Sequence, residues 1–223
     1  MEPITKPRIK ICCISSVEEM RLVVRCGASA VGLVSAMPSG PGVISEEEIA
    51  RIAAAVPPGV GSFLLTSVQN AASIIAQQRR CRTNTLQLVD RLEVGTYEEI
   101  REALPGIKIV QVIHIVDESS LEEAAAIAPQ VDALLLDSGN QSLAIKELGG
   151  TGRVHDWAIS RRIREQVDVP LYLAGGLNAG NVQEAIAFVR PFGLDLCSSV
   201  RTDGRLDEIK LARLFAAING VAE

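Results

Sequence analysis

Two residue types capable of acid–base chemistry stand at the ends of short apolar runs. Asp137 closes "VDALLLD" (131–137), and two adjacent thiols, Cys12 and Cys13, sit in "KICCI" (10–14). A carboxyl group and a thiol at the mouth of a buried sheet can share a proton-transfer reaction, one giving a proton and the other taking one. Three glycine-bearing segments follow later runs: "GGTG" (149–152), "AGGLNAGN" (174–181) and "CSSVRTDG" (197–204). Glycine lets a backbone approach a ligand closely. Main-chain N–H groups at a helix start hold a phosphate dianion. The pattern therefore predicts a phosphate-bearing ligand close to a carboxyl group and a thiol.

The elements that must position these residues follow from periodicity. Strands are expected at 10–14, 30–35, 60–65, 85–89, 108–115, 132–137, 170–174 and 193–198. Helices are expected at 17–26, 46–56, 68–79, 96–103, 119–127, 156–166, 179–189 and 207–219. Ser16 to Glu19 and Thr96 to Glu99 fit capping boxes. Glu46, Glu47 and Glu48 follow Ser45, in the first turn where the helix dipole favours acids. Gly27 stands where a helix should stop. The strands are apolar on both faces, the mark of a covered parallel sheet. Eight strand–helix units in 223 residues, with no linker or shift in composition, predict an α/β single domain over 1–223, a (β/α)8 TIM barrel. The alternative is an open doubly wound sheet; the strand count and the lack of an early G-x-G-x-x-G weigh against it.

In such a barrel, chemistry lies where strands run into the following loops, and phosphate sits at the loops after strands seven and eight. Asp137 would end strand six and point into the mouth. Alternation sends one of Cys12 and Cys13 inward and the other towards the helices. Plain structural alternatives stand beside these readings: a cap or salt bridge for Asp137, a packed thiol for Cys12, a tight turn for Gly175 and Gly176. Lys10 either faces the mouth or is structural. His114, inside a strand, and His155, at a helix start, belong to no metal cluster visible in the sequence.

Composition narrows the classes. Apolar residues make up 48% and aromatics 3%, and net charge is −5. A basic stripe and stacking aromatics are lacking, which disfavours nucleic acid. No apolar run approaches the ~20 residues of a membrane span, and no secretory signal is apparent. Five cysteines without a C-x-x-C pair fit reduced thiols in a cytoplasmic protein rather than a disulfide framework or zinc site. Oligomeric state, monomer or homodimer, is not readable.

"KIC-I", "GASAVGLV", "LQL", "LLLDS", "GGTG--HDW", "PLYLAGGLNAGNV" and "GLDLCSS" occur in that order and resemble the phosphoribosylanthranilate isomerase family of tryptophan biosynthesis. The resemblance spans nearly the whole chain. It implies a barrel that carries out an Amadori rearrangement by general acid–base catalysis without metal or organic cofactor. It implies Cys12 as base, Asp137 as acid, and Gly152, Gly175, Gly176, Ser198 and Ser199 at the phosphate. Acid and base roles would call for a raised carboxyl pKa at Asp137 and a lowered thiol pKa at Cys12, with Lys10 a contributor.

The sequence departs from the family pattern at the aglycone end. Cys13 replaces the glycine of "KICG", Gly42 replaces an arginine that meets the anthranilate carboxylate, and Val89 replaces the histidine of "LQLHG". Ser199 and Arg201 stand in place of the glycine and acid of "SSGVE". Arg153 and Arg201 are the candidate replacement cations. These departures keep two alternatives open: a barrel of this type acting on a different phosphorylated sugar, and a non-catalytic phosphate-ligand binder.

Overall fold

The computed structural model describes residues 6–139 and 155–220. Eight parallel strands close into a barrel in sequence order: β1 (Arg8–Ile11), β2 (Ala30–Val34), β3 (Gly61–Thr66), β4 (Thr85–Leu88), β5 (Lys108–His114), β6 (Ala133–Asp137), β7 (Leu171–Leu173) and β8 (Gly193–Leu196). Closure is made by β1 on β8, with Ile11 opposite Leu196. The helices are α1 (Val17–Arg25), α2 (Glu46–Ala55), α3 (Ala71–Cys81), α4 (Tyr97–Ala103), α5 (Ser119–Ile127), α6 (Trp157–Gln166), α7 (Val182–Val189) and α8 (Glu208–Asn219). No described helix is long and apolar enough to cross a membrane.

Period-two alternation sorts the side chains into two cores. On β5, Ile109 and Ile113 pack outward under the helices, and Val110 and Val112 pack inside the barrel. One buried ion pair interrupts the inner layer. Lys10 and Asp195 are cross-strand partners, and Nζ lies 2.7 Å from Oδ2. The ammonium also stands 5.4 Å from the centre of the Phe63 ring. Burial alone would lower the Lys10 pKa, but the Asp195 carboxylate and nearby thiols outweigh it and hold the ammonium above its usual range.

The caps are largely as read. Ser16, Ser45 and Thr96 accept from the backbone N–H of Glu19, Glu48 and Glu99, and Thr96 with Glu99 completes a capping box. Ser16–Glu19 does not complete one. The Glu19 carboxylate turns instead to the Ser15 and Leu206 N–H groups and to Arg201. Helix α3 starts at Ala71 because Asn70 caps it. Two further differences concern β8. It stops at Leu196, since Cys197 leaves the extended conformation for a short 3-10 turn over Ser198–Val200. A hairpin of β9 (Arg201–Thr202) and β10 (Arg205–Leu206) follows. Its two turn residues, Asp203 and Gly204, both take positive φ, the Asp-Gly turn chemistry that suits a two-residue hairpin.

Candidate active site

A cavity of about 720 Å³, counted to its open mouth, occupies the C-terminal end of the barrel. Cys12, Asp137, Gly175, Gly176 and Ser198 all line it. The sequence placed these five at strand ends, and the fold brings them to one space. Strand β1 ends at Ile11, so Cys12 opens the first loop. Its N–H still extends the sheet by donating to Leu196 O at 2.8 Å. Asp137 is the last residue of β6; its Oδ1 accepts from the Ser138 N–H at 2.7 Å. His155 stands near enough for the Asp137 charge to act on it. Burial pulls its pKa down against the charges of Asp137 and Asp156, which favours the neutral ring.

Both thiols of "CC" face inward, which corrects the expectation of alternation. Cys13 takes φ +62°, a left-handed conformation that breaks the strand period. Cys12 and Cys13 consequently both pack in the barrel interior and line the cavity. Room for them comes from two glycines. A Cβ on Gly32 would stand 2.8 Å from Cys12 Sγ and 3.0 Å from Lys10 Nζ, so the ammonium and the Cys12 thiol are neighbours across that glycine. A Cβ on Gly42 would stand 2.4 Å from Cys13 Cβ. The departures at 13 and 42 are therefore one structural event, since the Cys13 side chain fills the space that a side chain at 42 needs.

At the loop after β7, Gly175 and Gly176 take φ +82° and +64°. The Asn178 and Asn181 amides both donate to Gly176 O, at 3.2 and 3.1 Å, and fix that peptide. At the loop after β8, Ser198 lines the cavity. The Ser199 hydroxyl is buried and finds no hydrogen-bond partner among the described residues. The opposite wall is mostly apolar, with Val34, Met37, Leu65, Val89 and Val112 beside Gln87.

Two of the candidate cations do not reach the cavity. Lys10 is fully buried beneath it and committed to Asp195. Arg201 runs behind the first loop, where its Nη2 donates to Cys13 O at 2.6 Å and Cys12 O at 3.1 Å, and its Nη1 lies 3.3 Å from Glu19 Oε1. It fastens the loop that carries the thiols and is not among the residues lining the cavity. Gly152 and Arg153 lie outside the described residues. No lysine or arginine is among the described residues lining the cavity.

The chain's similarities accord with this arrangement. Residues 9–217 match the sequence model of the family described as N-(5'phosphoribosyl)anthranilate (PRA) isomerase. The N-(5'-phosphoribosyl)anthranilate isomerase of Methanosarcina acetivorans is 33% identical, over 96% of this chain and 93% of its own. The crystal structure of phosphoribosyl anthranilate isomerase from Thermotoga maritima superposes with a TM-score of 0.80 at 28% identity, covering 96% of this chain and 99% of that one. Another crystal structure of such an isomerase, in complex with reduced 1-(o-carboxyphenylamino)-1-deoxyribulose 5-phosphate, gives 0.77 at 27% identity, with the same coverage. With the family's sequence model matched over residues 9–217, and a relative 33% identical over nearly the whole chain, the chain belongs to the N-(5'-phosphoribosyl)anthranilate isomerase family.

Proposed function

We propose that this chain isomerises N-(5'-phosphoribosyl)anthranilate to 1-(o-carboxyphenylamino)-1-deoxyribulose 5-phosphate, a step of tryptophan biosynthesis, with Asp137 as general acid and Cys12 as general base. The observation that carries the reading is the convergence of these two side chains on one cavity whose rim is glycine- and serine-rich. Asp137 gives its proton to the ribose ring oxygen as the C1–O bond breaks, leaving an open-chain iminium. Cys12, as thiolate, removes the proton from C2, and the electron pair forms the enolamine. Its tautomerisation gives the ketone, so substrate and product have the same atoms. Main-chain N–H groups at Gly175 and Gly176, with the Ser198 and Ser199 hydroxyls, are the assigned phosphate holders; Gly175, Gly176 and Ser198 line the cavity, and Ser199, next in the chain, does not. The apolar wall receives the aromatic ring.

Arg201 is spent on the first loop, which leaves Arg153 as the cation assigned to the anthranilate carboxylate. Losing a charge-assisted contact costs roughly 1.5–3 kcal/mol, so Arg153→Ala is expected to raise KM by about one to two decades. The function itself is tested by mixing the purified protein with phosphoribosylanthranilate and following the loss of anthranilate fluorescence. Conversion at a rate proportional to enzyme is expected. A flat trace, with a known isomerase active in the same cuvette, would refute the assignment.

A further inference from the structure

The Sγ atoms of Cys13 and Cys197 stand 2.8 Å apart. That is closer than the ~3.5–4.0 Å at which unbonded heavy atoms usually rest. The two residues belong to different loops, after β1 and after β8, separated by 184 positions in sequence. These strands are neighbours in the barrel, and Cys12 N still bonds to Leu196 O beside them. The register of Ile11 opposite Leu196 sets Cys13 one residue beyond the position opposite Cys197; a one-residue diagonal across strands ~4.8 Å apart is about 6 Å, within the roughly 4.4–6.8 Å between Cα atoms that a disulfide spans. Both residues line the cavity, so a small solute entering the mouth meets them. Cys13 occupies its position by a left-handed backbone and a facing glycine, Gly42. Cys26 and Cys81 lie away from this cluster, in and beside helices on the outer layer.

We propose that Cys13 and Cys197 form a redox-active thiol pair that a peroxide converts to a disulfide, latching the first and eighth loops together across the mouth. Cys197 is the attacking thiol. Its pKa is lowered first by its hydrogen bond with Cys13 and, against burial, by the Arg201 charge. The Cys197 thiolate attacks one peroxide oxygen, the O–O bond breaks, and the departing hydroxide becomes water with the proton that Cys197 released. The sulfenic acid so formed is attacked by the Cys13 sulfur. The S–S bond forms, the S–O bond breaks, and the leaving hydroxide takes the Cys13 proton as a second water. Two thiols are oxidised by two electrons, and one peroxide is reduced to two waters. The sulfurs need to close by less than about 1 Å to reach bonding distance. That movement pulls on the peptide carrying Cys12, and a displacement of about 1 Å at a reacting group is worth about 10²-fold in rate.

The test uses the whole protein, reduced and then treated with hydrogen peroxide, alkylated, and analysed intact and as peptides under non-reducing conditions. The expected product has lost two hydrogens, keeps three of its five thiols alkylatable, and joins the Cys13 peptide to the Cys197 peptide. Dithiothreitol restores all five. Cys12 and Cys13 share a peptide, so Cys12→Ser must still form the bond, whereas Cys13→Ser and Cys197→Ser must each keep their four thiols free. Cys197→Ala provides the same reading if either serine variant misfolds. Oxidation is also expected to slow turnover by about 10²-fold, recovered on reduction. Five free thiols after peroxide, a bond that uses Cys12, or sulfinic acid without any bond would each overturn the proposal.

Discussion

The coupling of positions 13 and 42 can be read as a free energy. Gly42→Ala places a Cβ 2.4 Å from Cys13 Cβ, 2.9 Å from Cys13 Sγ and 3.0 Å from Cys13 Cα, at φ +79°. The left-handed conformation costs roughly 1–2 kcal/mol for a non-glycine residue wherever it occurs. Overpacking against Cys13 adds roughly 1–3 kcal/mol. Cys13→Gly removes the obstructing Cβ and thiol together and relieves the left-handed strain at 13, so Gly42→Ala in that background keeps its own backbone cost and the 3.0 Å approach to the residue 13 Cα. The single-residue terms cancel in a double-mutant cycle. The coupling that remains is the collision, about 1–3 kcal/mol. For a chain of this size each kcal/mol moves the melting midpoint by about 2–4 °C. Four proteins suffice: the parent, each single variant, and the pair, measured by urea unfolding and by thermal melting. The pair is expected to be more stable than the sum of its parts. Coupling within about 0.5 kcal/mol of zero would show that the thiol does not occupy the space of residue 42.

Two other outcomes follow from charges beneath and behind the site. Lys10→Met leaves Asp195 buried without its ammonium and is expected to destabilise by about 3–5 kcal/mol, with Lys10→Met/Asp195→Leu recovering much of the loss; urea midpoints that rank the double variant below the single would contradict this. The Glu19 pKa is a balance in which burial raises it, while the Ser15 N–H, Arg201 and the Leu206 N–H lower it further than burial raises it, leaving a net depression. A depressed carboxylate contributes stability above its unfolded value near 4.3 and loses it as pH falls through the folded value. Glu19→Gln is therefore expected to be less stable than the parent at pH 7 and to converge with it as pH falls from about 4.3 through the lower folded value. An undiminished gap at low pH would mean that the Glu19 charge is not what fastens the hairpin and the first loop.

Much of this was legible in the strands. Apolar runs of regular spacing gave the barrel, and the ends of those runs and the loops just after them gave Asp137, Cys12, Gly175, Gly176 and Ser198, because a parallel barrel carries every strand end to the same face. What escaped depended on departures from the period. Cys13 turns inward only because its φ is positive, which no alternation rule encodes. The Lys10–Asp195 pair was within reach, since both lie two residues before an inward cysteine on adjoining strands. The hairpin carried its own signal in "RTDGRL", whose Asp-Gly pair marks a tight turn. Arg201 had none. Its partners Cys12, Cys13 and Glu19 are more than 180 positions away and meet it only after the barrel has closed.

Acid–base action by Cys12 and Asp137 is tested most directly by rapid mixing of phosphoribosylanthranilate with the parent, Cys12→Ser and Asp137→Asn, each at saturating enzyme, so that a single conversion is watched by fluorescence. A positioned acid or base is worth about 10²–10⁴-fold. Each variant is expected to slow the conversion by at least the lower figure while still binding the product's phosphate end, as judged by competition with the parent. If either variant converts substrate within about twofold of the parent rate, that side chain moves no proton in the reaction.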